Sequence, residues 1–477
     1  MIRKSLLMLS FLFFTFGHAV AAEKVLDIQE IKTDSGINVW LAEDHSVPVV
    51  AVDYSFAGGM AYDSPDQTGR AYLLSIMLDE GAGERDSQAF QKALADNAIE
   101  MSFSAGRDAF NGSMRTLSRN TDMAAALLSD ALNVPRFDAD ALQRMKNATE
   151  ASIKQDMSSP DWIAARSFNG LMFGDDAYAR PGKGTLETLA TLNAKNLKAL
   201  AKQQFVKENL NVAIAGDMTP EQAKAFVEKV FGKLTAQADT PAVPDTAELQ
   251  NPGKSFAYEM DNPQTHIIIG HEGISVNDPD WPAVQLINYV LGSGGFDSRL
   301  MTEIREKRGL SYGVNSYLSD LQRAPTIQAS LSASNENAAQ AIDLLRSEWQ
   351  KMSLTGPSDE ELQNAKDYLT GSLILSLTST GSIASVMNGL QQKGFGPNYI
   401  NERNERLRAV TTEDARVVAG RLLNPDRLMV VAVGQPTGFT ADTVLNYIPG
   451  ITNPPTAAPD SEETNNENDT KPNMESP

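Results

Sequence analysis

The strongest constraint on this chain is that much of it is written twice. "FDADALQRMKNATEASIKQDMSS" (137–159) resembles "PSDEELQNAKDYLTGSLILSLTS" (357–379), and "ENLNVAIAG" (208–216) resembles "DRLMVVAVG" (426–434). "DWPAVQLINYVLG" (280–292) takes the place in the second half that "TGRAYLLSIMLDEG" (68–81) takes in the first. The segments recur in the same order at roughly 210–220 residues, far beyond the ~20–50 of a solenoid repeat. A single duplication follows, and with it two homologous halves that each need their own core. The length of 477 residues suits two or more domains, and a hydrophobic content of 42% suits sizeable cores.

Each half mixes two periodicities, which points to an α+β fold. "INVWLAED" and "VPVVAVDYSFAGG" carry β-branched and aromatic residues in short runs, as strands do. Helical spacing follows over 69–79 and 87–98. "MSFSAGRDAFNGSMRTLS" (101–118) alternates like a hairpin, "TDMAAALLSDALN" is helical, and 137–160 is a long helix with acidic residues in its first turn. "ENLNVAIAGDMTPEQAKAFVEKVFGKL" (208–234) is a strand followed by a helix, with Thr219 as N-cap and Pro220 in the first turn.

The ends and the junction differ in composition. Arg3 and Lys4, an apolar run from Ser5 to Gly17 and small residues at 19–22 form a secretory signal over 1–22. Residues 23–234 are the first half, 235–255 a Pro/Ala/Thr-rich linker, and 256–450 the second half. The acidic, Pro/Asn-rich tail 451–477 has too little apolar surface to offset its chain entropy and is expected to be disordered. No segment after the signal is apolar enough to span a membrane, which needs about 18 or more such residues. The expected location is outside the cytoplasm, in a bacterial periplasm.

Charge and composition exclude several functions. A formal net charge of -20 argues against nucleic acid, whose phosphates need a basic surface. The chain has no cysteine, hence no disulfide, thiolate metal site or cysteine nucleophile. No Gly-x-Ser-x-Gly elbow marks a serine hydrolase. Its histidines are His18, in the signal, His45, in a turn, and His266 and His271, five apart on one strand and so on opposite faces. These do not converge as metal ligands must.

Two motifs carry the functional reading. The first is Gly69-Arg70-Ala71-Tyr72-Leu73-Leu74-Ser75-Ile76-Met77. Its frame resembles Gly-Leu-Ala-His-Phe-Leu-Glu-His-Met of the pitrilysin/insulinase family, whose H-x-x-E-H helix holds zinc and a glutamate base. Gly69, Ala71, Leu74 and Met77 match, whereas Tyr72 and Ile76 replace the histidines and Ser75 the glutamate. The further acidic ligand falls near Ala151 or Ser152, with Glu150 out of register. No metal is expected to bind this chain.

The second motif is "LGSGGFDSRLMTEIREKRGLSYGVNSYLSD" (291–320). Taken alone it is a flexible turn and a charged helix, and it lacks the Gly-Lys-Ser/Thr ending of a phosphate loop. It is similar to Ser-Arg-Leu…Arg-Glu-x-x-Gly-Leu-x-Tyr in the second half of the same family: Ser298-Arg299-Leu300, then Arg305-Glu306 to Gly309-Leu310-Ser311-Tyr312. The resemblance implies catalytic roles for Arg305 and Tyr312. A guanidinium fork holds a carbonyl or carboxylate, and a phenol donates to an oxyanion. Gly292, Gly294 and Gly295 resemble, more loosely, a substrate-contacting glycine loop.

The resemblance covers about residues 25–445. It implies two halves, each a mostly antiparallel sheet covered by helices, arranged as a clamshell. It also implies a function: the non-zinc-binding subunit of an exported heterodimeric zinc metallopeptidase. A zinc-motif-bearing paralogue would supply the metal, Arg305 and Tyr312 would act in trans, and the peptide substrate would add to a sheet edge, for which 101–117 is a candidate. The alternative is an inactive peptide-binding or assembly protein of the same fold.

Overall fold

The computed structural model describes residues 24–237 and 246–452. The secretory signal, the middle of the linker and the acidic tail beyond Thr452 lie outside the described residues.

The first half contributes β1 (Gln29–Lys32), β2 (Asn38–Glu43), β3 (Val49–Ala57), a small ladder of β4 (Gly81–Ala82) and β5 (Arg85–Asp86), β6 (Glu100–Ala105), β7 (Ala109–Leu117) and β8 (Leu210–Gly216). Its helices are α1 (Arg70–Ser75), α2 (Ser87–Asp96), α3 (Thr121–Asn133), α4 (Ala139–Asp156), α5 (Pro160–Phe173), α6 (Leu186–Thr191), α7 (Ala194–Gln204) and α8 (Pro220–Phe231). The second half contributes β9 (Ser255–Glu259), β10 (Gln264–Glu272), β11 (Ser311–Ser319), β12 (Thr326–Ser334), β13 (Met429–Gly434) and β14 (Thr443–Leu445). Its helices are α9 (Trp281–Asn288), α10 (Ala338–Thr355), α11 (Asp359–Leu375), α12 (Thr380–Gln392), α13 (Tyr399–Ala409) and α14 (Thr412–Leu422).

The two large sheets have the same plan. The order β1-β2-β8-β3-β7-β6 in one is matched by β14-β9-β13-β10-β12-β11 in the other. β2–β8 and β9–β13 are parallel, while β8–β3–β7–β6 and β13–β10–β12–β11 are antiparallel. The halves differ at one edge. There the first half uses a strand that precedes β2 and the second uses the chain's last strand. The mostly antiparallel α+β halves read from the sequence are thus the observed ones.

Local chemistry sets the elements. Thr219 and Gln222 form a capping box with Pro220 in the first turn of α8, and Ser358 and Glu361 form one on α11. The central strands β8 and β13 are apolar, Asn211 excepted, because helices cover both faces. Each ends in a left-handed glycine, Gly216 at φ +120 and Gly434 at φ +148. A Cβ on Gly216 would stand 2.1 Å from the Val49 carbonyl oxygen.

One face of each sheet is closed by helices of its own half, and the other by a helix from the opposite half. Ile163, Phe168 and Met172 of α5 pack on Phe256, Ile268 and Val431 of the second sheet. Ala384 and Met387 of α12 pack on Trp40, Ala51 and Ala213 of the first. Ser159 and Ser379 cap these two helices at equivalent places in the repeat. Burial of each large side chain contributes roughly 1.5–3 kcal/mol, so the exchange fastens the halves together.

Two local expectations are revised. The helix expected over 69–79 ends at Ser75, where the hydroxyl donates to the Tyr72 carbonyl at 2.8 Å and the next amides fall into turns. The far end of the linker is also tied down. Ala247 N donates to Arg323 O and Gln250 N to Met172 O at 3.0 and 2.8 Å.

Candidate functional site

The first motif is held by its surroundings. Asp63 accepts the amides of Gly69 and Ala71 at 3.0 and 3.1 Å and so caps the start of α1. Burial pushes its carboxyl up to about 6, against the pull of Arg70 and these amides. Gly69, at φ +91, would place a Cβ 2.5 Å from Lys183 O, and Gly184, at φ +79, one 2.3 Å from Thr68 O. Only glycines allow the 181–184 loop to press on the head of α1.

That contact brings Lys183 to the motif. Its ammonium donates to Ser152 Oγ and to Asp156 Oδ2, both at 2.7 Å. Ser152 is one of the two positions, with Ala151, near which the resemblance puts the downstream acidic ligand, and Lys183 bonds to it. Tyr72, Asp156 and Lys183 line one cavity of about 310 Å³. Ile76 packs against the apolar core of the first half, and Ser75 is buried.

In the second motif, Arg305 lies on a π-helical turn (Met301–Glu306) and Tyr312 on edge strand β11. Gly309, at φ +63, closes the turn with its amide on Arg305 O at 2.8 Å and sends the chain back alongside. The reversal puts the Arg305 guanidinium 4.9 Å from the Tyr312 ring centroid. Phe296 stands 4.7 Å from the same guanidinium, so the cation sits between two exposed aromatic rings. Tyr312 is 85% exposed.

The rest of this motif is framework. Ser298 Oγ donates to Gly295 O, Arg299 forms a bidentate pair with Glu361 at 2.7 and 2.6 Å, and Leu300 is buried in the core. The three glycines have different surroundings. Gly292 is buried, and a Cβ there would meet Ser316 N at 2.7 Å; Gly294 lies against Tyr289; Gly295, at φ +61, faces open space.

The histidines stand apart. His271 is buried, accepts from Trp349 Nε1 at 3.0 Å and donates Nδ1–H to Glu272 O, with burial holding its pKa down. His266 faces the other side of β10 and bonds Asp161 and Ser332. His45 bonds Asp217 at the surface.

Residues 38–181 match the insulinase family, peptidase family M16, and residues 191–369 match the peptidase M16 inactive domain. The chain belongs to the M16 insulinase-like family. It is similar to an uncharacterized zinc protease, YmxG, of Bacillus subtilis, at 24% identity over 86% of this chain and 99% of that one. It is also similar to the non-peptidase homolog YmxG of Helicobacter pylori, at 26% identity over 72% of this chain and 79% of that one. A solved peptidase M16 inactive domain from Pseudomonas fluorescens superposes with a TM-score of 0.80 at 27% identity, covering 86% of this chain and 98% of that one. A protease from Helicobacter pylori shares the fold, with a TM-score of 0.77 at 15% identity over 86% and 99%.

The family implies zinc, and this M16 chain's residues do not fit it. A phenol, a back-bonded hydroxyl, an isoleucine and a serine already bonded to an ammonium offer no set of zinc donors. Among the described residues no group of three or more His, Asp or Glu side chains converges on a metal position. Sequence reasoning missed Phe296, whose signal was an aromatic in a glycine loop. It also did not single out Lys183, which the fold brings to the first motif from far along the chain.

Proposed function

We propose that this chain is the non-zinc-binding subunit of a two-chain M16 zinc metallopeptidase, with Arg305 and Tyr312 completing a partner's active site. The carrying observation is the exposed Phe296–Arg305–Tyr312 stack. Among the described residues no carboxylate pairs with Arg305, and Tyr312 projects from an edge strand. Such an exposed pair contributes little to the stability of its own chain and suits a substrate backbone and an oxyanion brought by another. Exposed Tyr368 and Leu375, two turns apart on α11, give an apolar surface of the kind that protein partners cover. The partner, a zinc-bearing paralogue, supplies metal, base and water. The peptide adds to a sheet edge, for which β6 is available as the outermost strand of the first sheet. The chain works outside the cytoplasm, on the strength of the leader pattern in residues 1–22.

The test is reconstitution. The mature chain is mixed with the zinc-motif paralogue of its own organism, and cleavage of quenched peptides and zinc content are measured. Cleavage by the mixture alone supports the reading, as does a loss of roughly 10²-fold in turnover for Tyr312→Phe. Unchanged turnover in that variant defeats it. The name of the Helicobacter relative, a non-peptidase homolog, favours a second reading, a binding or assembly protein. A stable complex without cleavage would select it.

A further inference from the structure

The lining of the cavity beside Tyr72 carries more positive than negative side chains. Arg107, from the β6–β7 turn, Arg166 of α5 and Lys183 all line it, with Asp156 the single carboxylate among the lining residues. Asp156 is committed to Lys183. The arginines make their hydrogen bonds to carbonyls instead. Arg107 donates to Arg180 O at 2.7 Å, and Arg166 to Pro449 O at 2.8 Å and to Ala179 O. Asp63 and Asp108 lie near enough to favour the charge on Arg107, but neither lines the cavity or bonds to Arg107: Asp63 caps α1, and Asp108 accepts from Tyr178 and Gln322.

Arg166 is the sharper case. It is 4% exposed and has no carboxylate partner among the described residues. Burial and the neighbouring Arg107 charge push its pKa down to about 9. In a chain of net charge -20, a half-enclosed hollow lined by two guanidiniums that make no ion pair among the described residues suits an anion. The remaining wall is apolar, with Met60, Ile153 and Trp162. About 310 Å³ is the lower end of ligand pockets and fits one residue rather than a long segment.

We propose that this cavity, beside Tyr72 of the first motif, binds the C-terminal carboxylate of a peptide. The two arginines meet the carboxylate and Met60, Ile153 and Trp162 take the terminal side chain. The assignment rests on the peptide-binding part of the reading above and not on trans catalysis. A terminal carboxylate suits the site because it joins one full charge to one side chain at a chain end, as a shallow closed hollow requires.

The test uses the mature chain without any partner, so failure of the two-chain enzyme leaves it standing. Matched short-peptide libraries, one with free C-termini and one with C-terminal amides, are titrated by fluorescence anisotropy, with inorganic phosphate as competitor. The expected result is at least tenfold tighter binding of the free-acid library. That preference should vanish in Arg107→Gln and in Arg166→Gln. Should Arg166→Gln fail to fold, Arg107→Gln alone decides, since Arg107 comes from a turn and is less buried than Arg166. Equal binding of acid and amide, no binding of free-acid peptides, a preference that survives Arg107→Gln, or displacement by phosphate at the peptide's own concentration would each overturn the proposal.

Discussion

Arg323 and Tyr178 hold the halves of the molecule together, the guanidinium lying 4.4 Å from the ring centroid while it grips Asp176 through two hydrogen bonds of 2.8 and 2.6 Å. The phenol of Tyr178 reaches Asp108, and the Arg323 amide donates back to the phenol at 3.2 Å. The cluster ties the chain after α5 to the β11–β12 turn, beside the exchanged helix itself.

Arg323→Ala should therefore be severe. It leaves Asp176 without its cation in a mostly buried junction, a loss of about 3 kcal/mol. The melting temperature should fall by roughly 3–4 °C, given the entropy of unfolding a chain of this length. Arg323→Lys should recover little, because an ammonium neither forks nor stacks as a guanidinium does. Differential scanning calorimetry of the three proteins checks both statements.

Asp53 predicts a pH dependence. It sits on β3 beside α12, in a groove it shares with the Glu100–Arg115 pair, and burial alone pushes its carboxyl up to about 6. A folded pKa above the unfolded value means the folded state holds the proton longer. This group's stabilising contribution is complete below pH 3.8 and is lost as pH rises through about 6. Asp53→Asn should flatten that part of the profile and stabilise the protein at neutral pH, by about 1 kcal/mol once the group's partial exposure is allowed for. Urea denaturation between acid and neutral pH measures it.

Lys183 predicts how hard zinc binding is to restore. Tyr72→His, Ser75→Glu and Ile76→His, with Ser152→Glu for the downstream ligand that the resemblance puts near Ala151 or Ser152, restore the family's ligands and base, yet the Lys183 ammonium still competes for residue 152. Adding Lys183→Ala should tighten zinc binding at least tenfold over the fourfold variant, on the order of 1.4 kcal/mol. Zinc titration against a chromogenic chelator gives the comparison.

Phe296→Ala should separate positioning from chemistry. It removes one face of the Arg305 sandwich, worth roughly 0.5–1 kcal/mol at an exposed site. With the partner present, kcat/KM should fall a few-fold, far less than for Tyr312→Phe, while the melting temperature stays put. A thermal shift as large as the kinetic loss would mean that the stack serves folding.

Much of the fold was legible because it follows from local rules. The apolar runs of 210–216 and 429–434, the Thr219-Pro220 start of α8 and the alternation of 101–118 each specify an element without distant help. The seven-residue step from Arg305 to Tyr312 belongs to the same class, since Gly309 reverses the chain between them. Helix α1 came out shorter than its periodicity, because a serine hydroxyl competes for a helix carbonyl and periodicity does not register that.

By itself, then, the sequence determined the duplication, the α+β elements, the residues Tyr72, Ser75 and Ile76 at the first motif and the spacing of Arg305 and Tyr312. These depend on residue identity and short spacing. Tertiary structure alone decided that α5 and α12 change sides, that Phe296 completes the Arg305 stack, and that Arg107, Arg166 and Lys183 surround one cavity. The reason is physical. A helix's apolar stripe states that it must be buried but not against which sheet, and charges distant along the chain acquire a common field only once packing has brought them within a few ångströms.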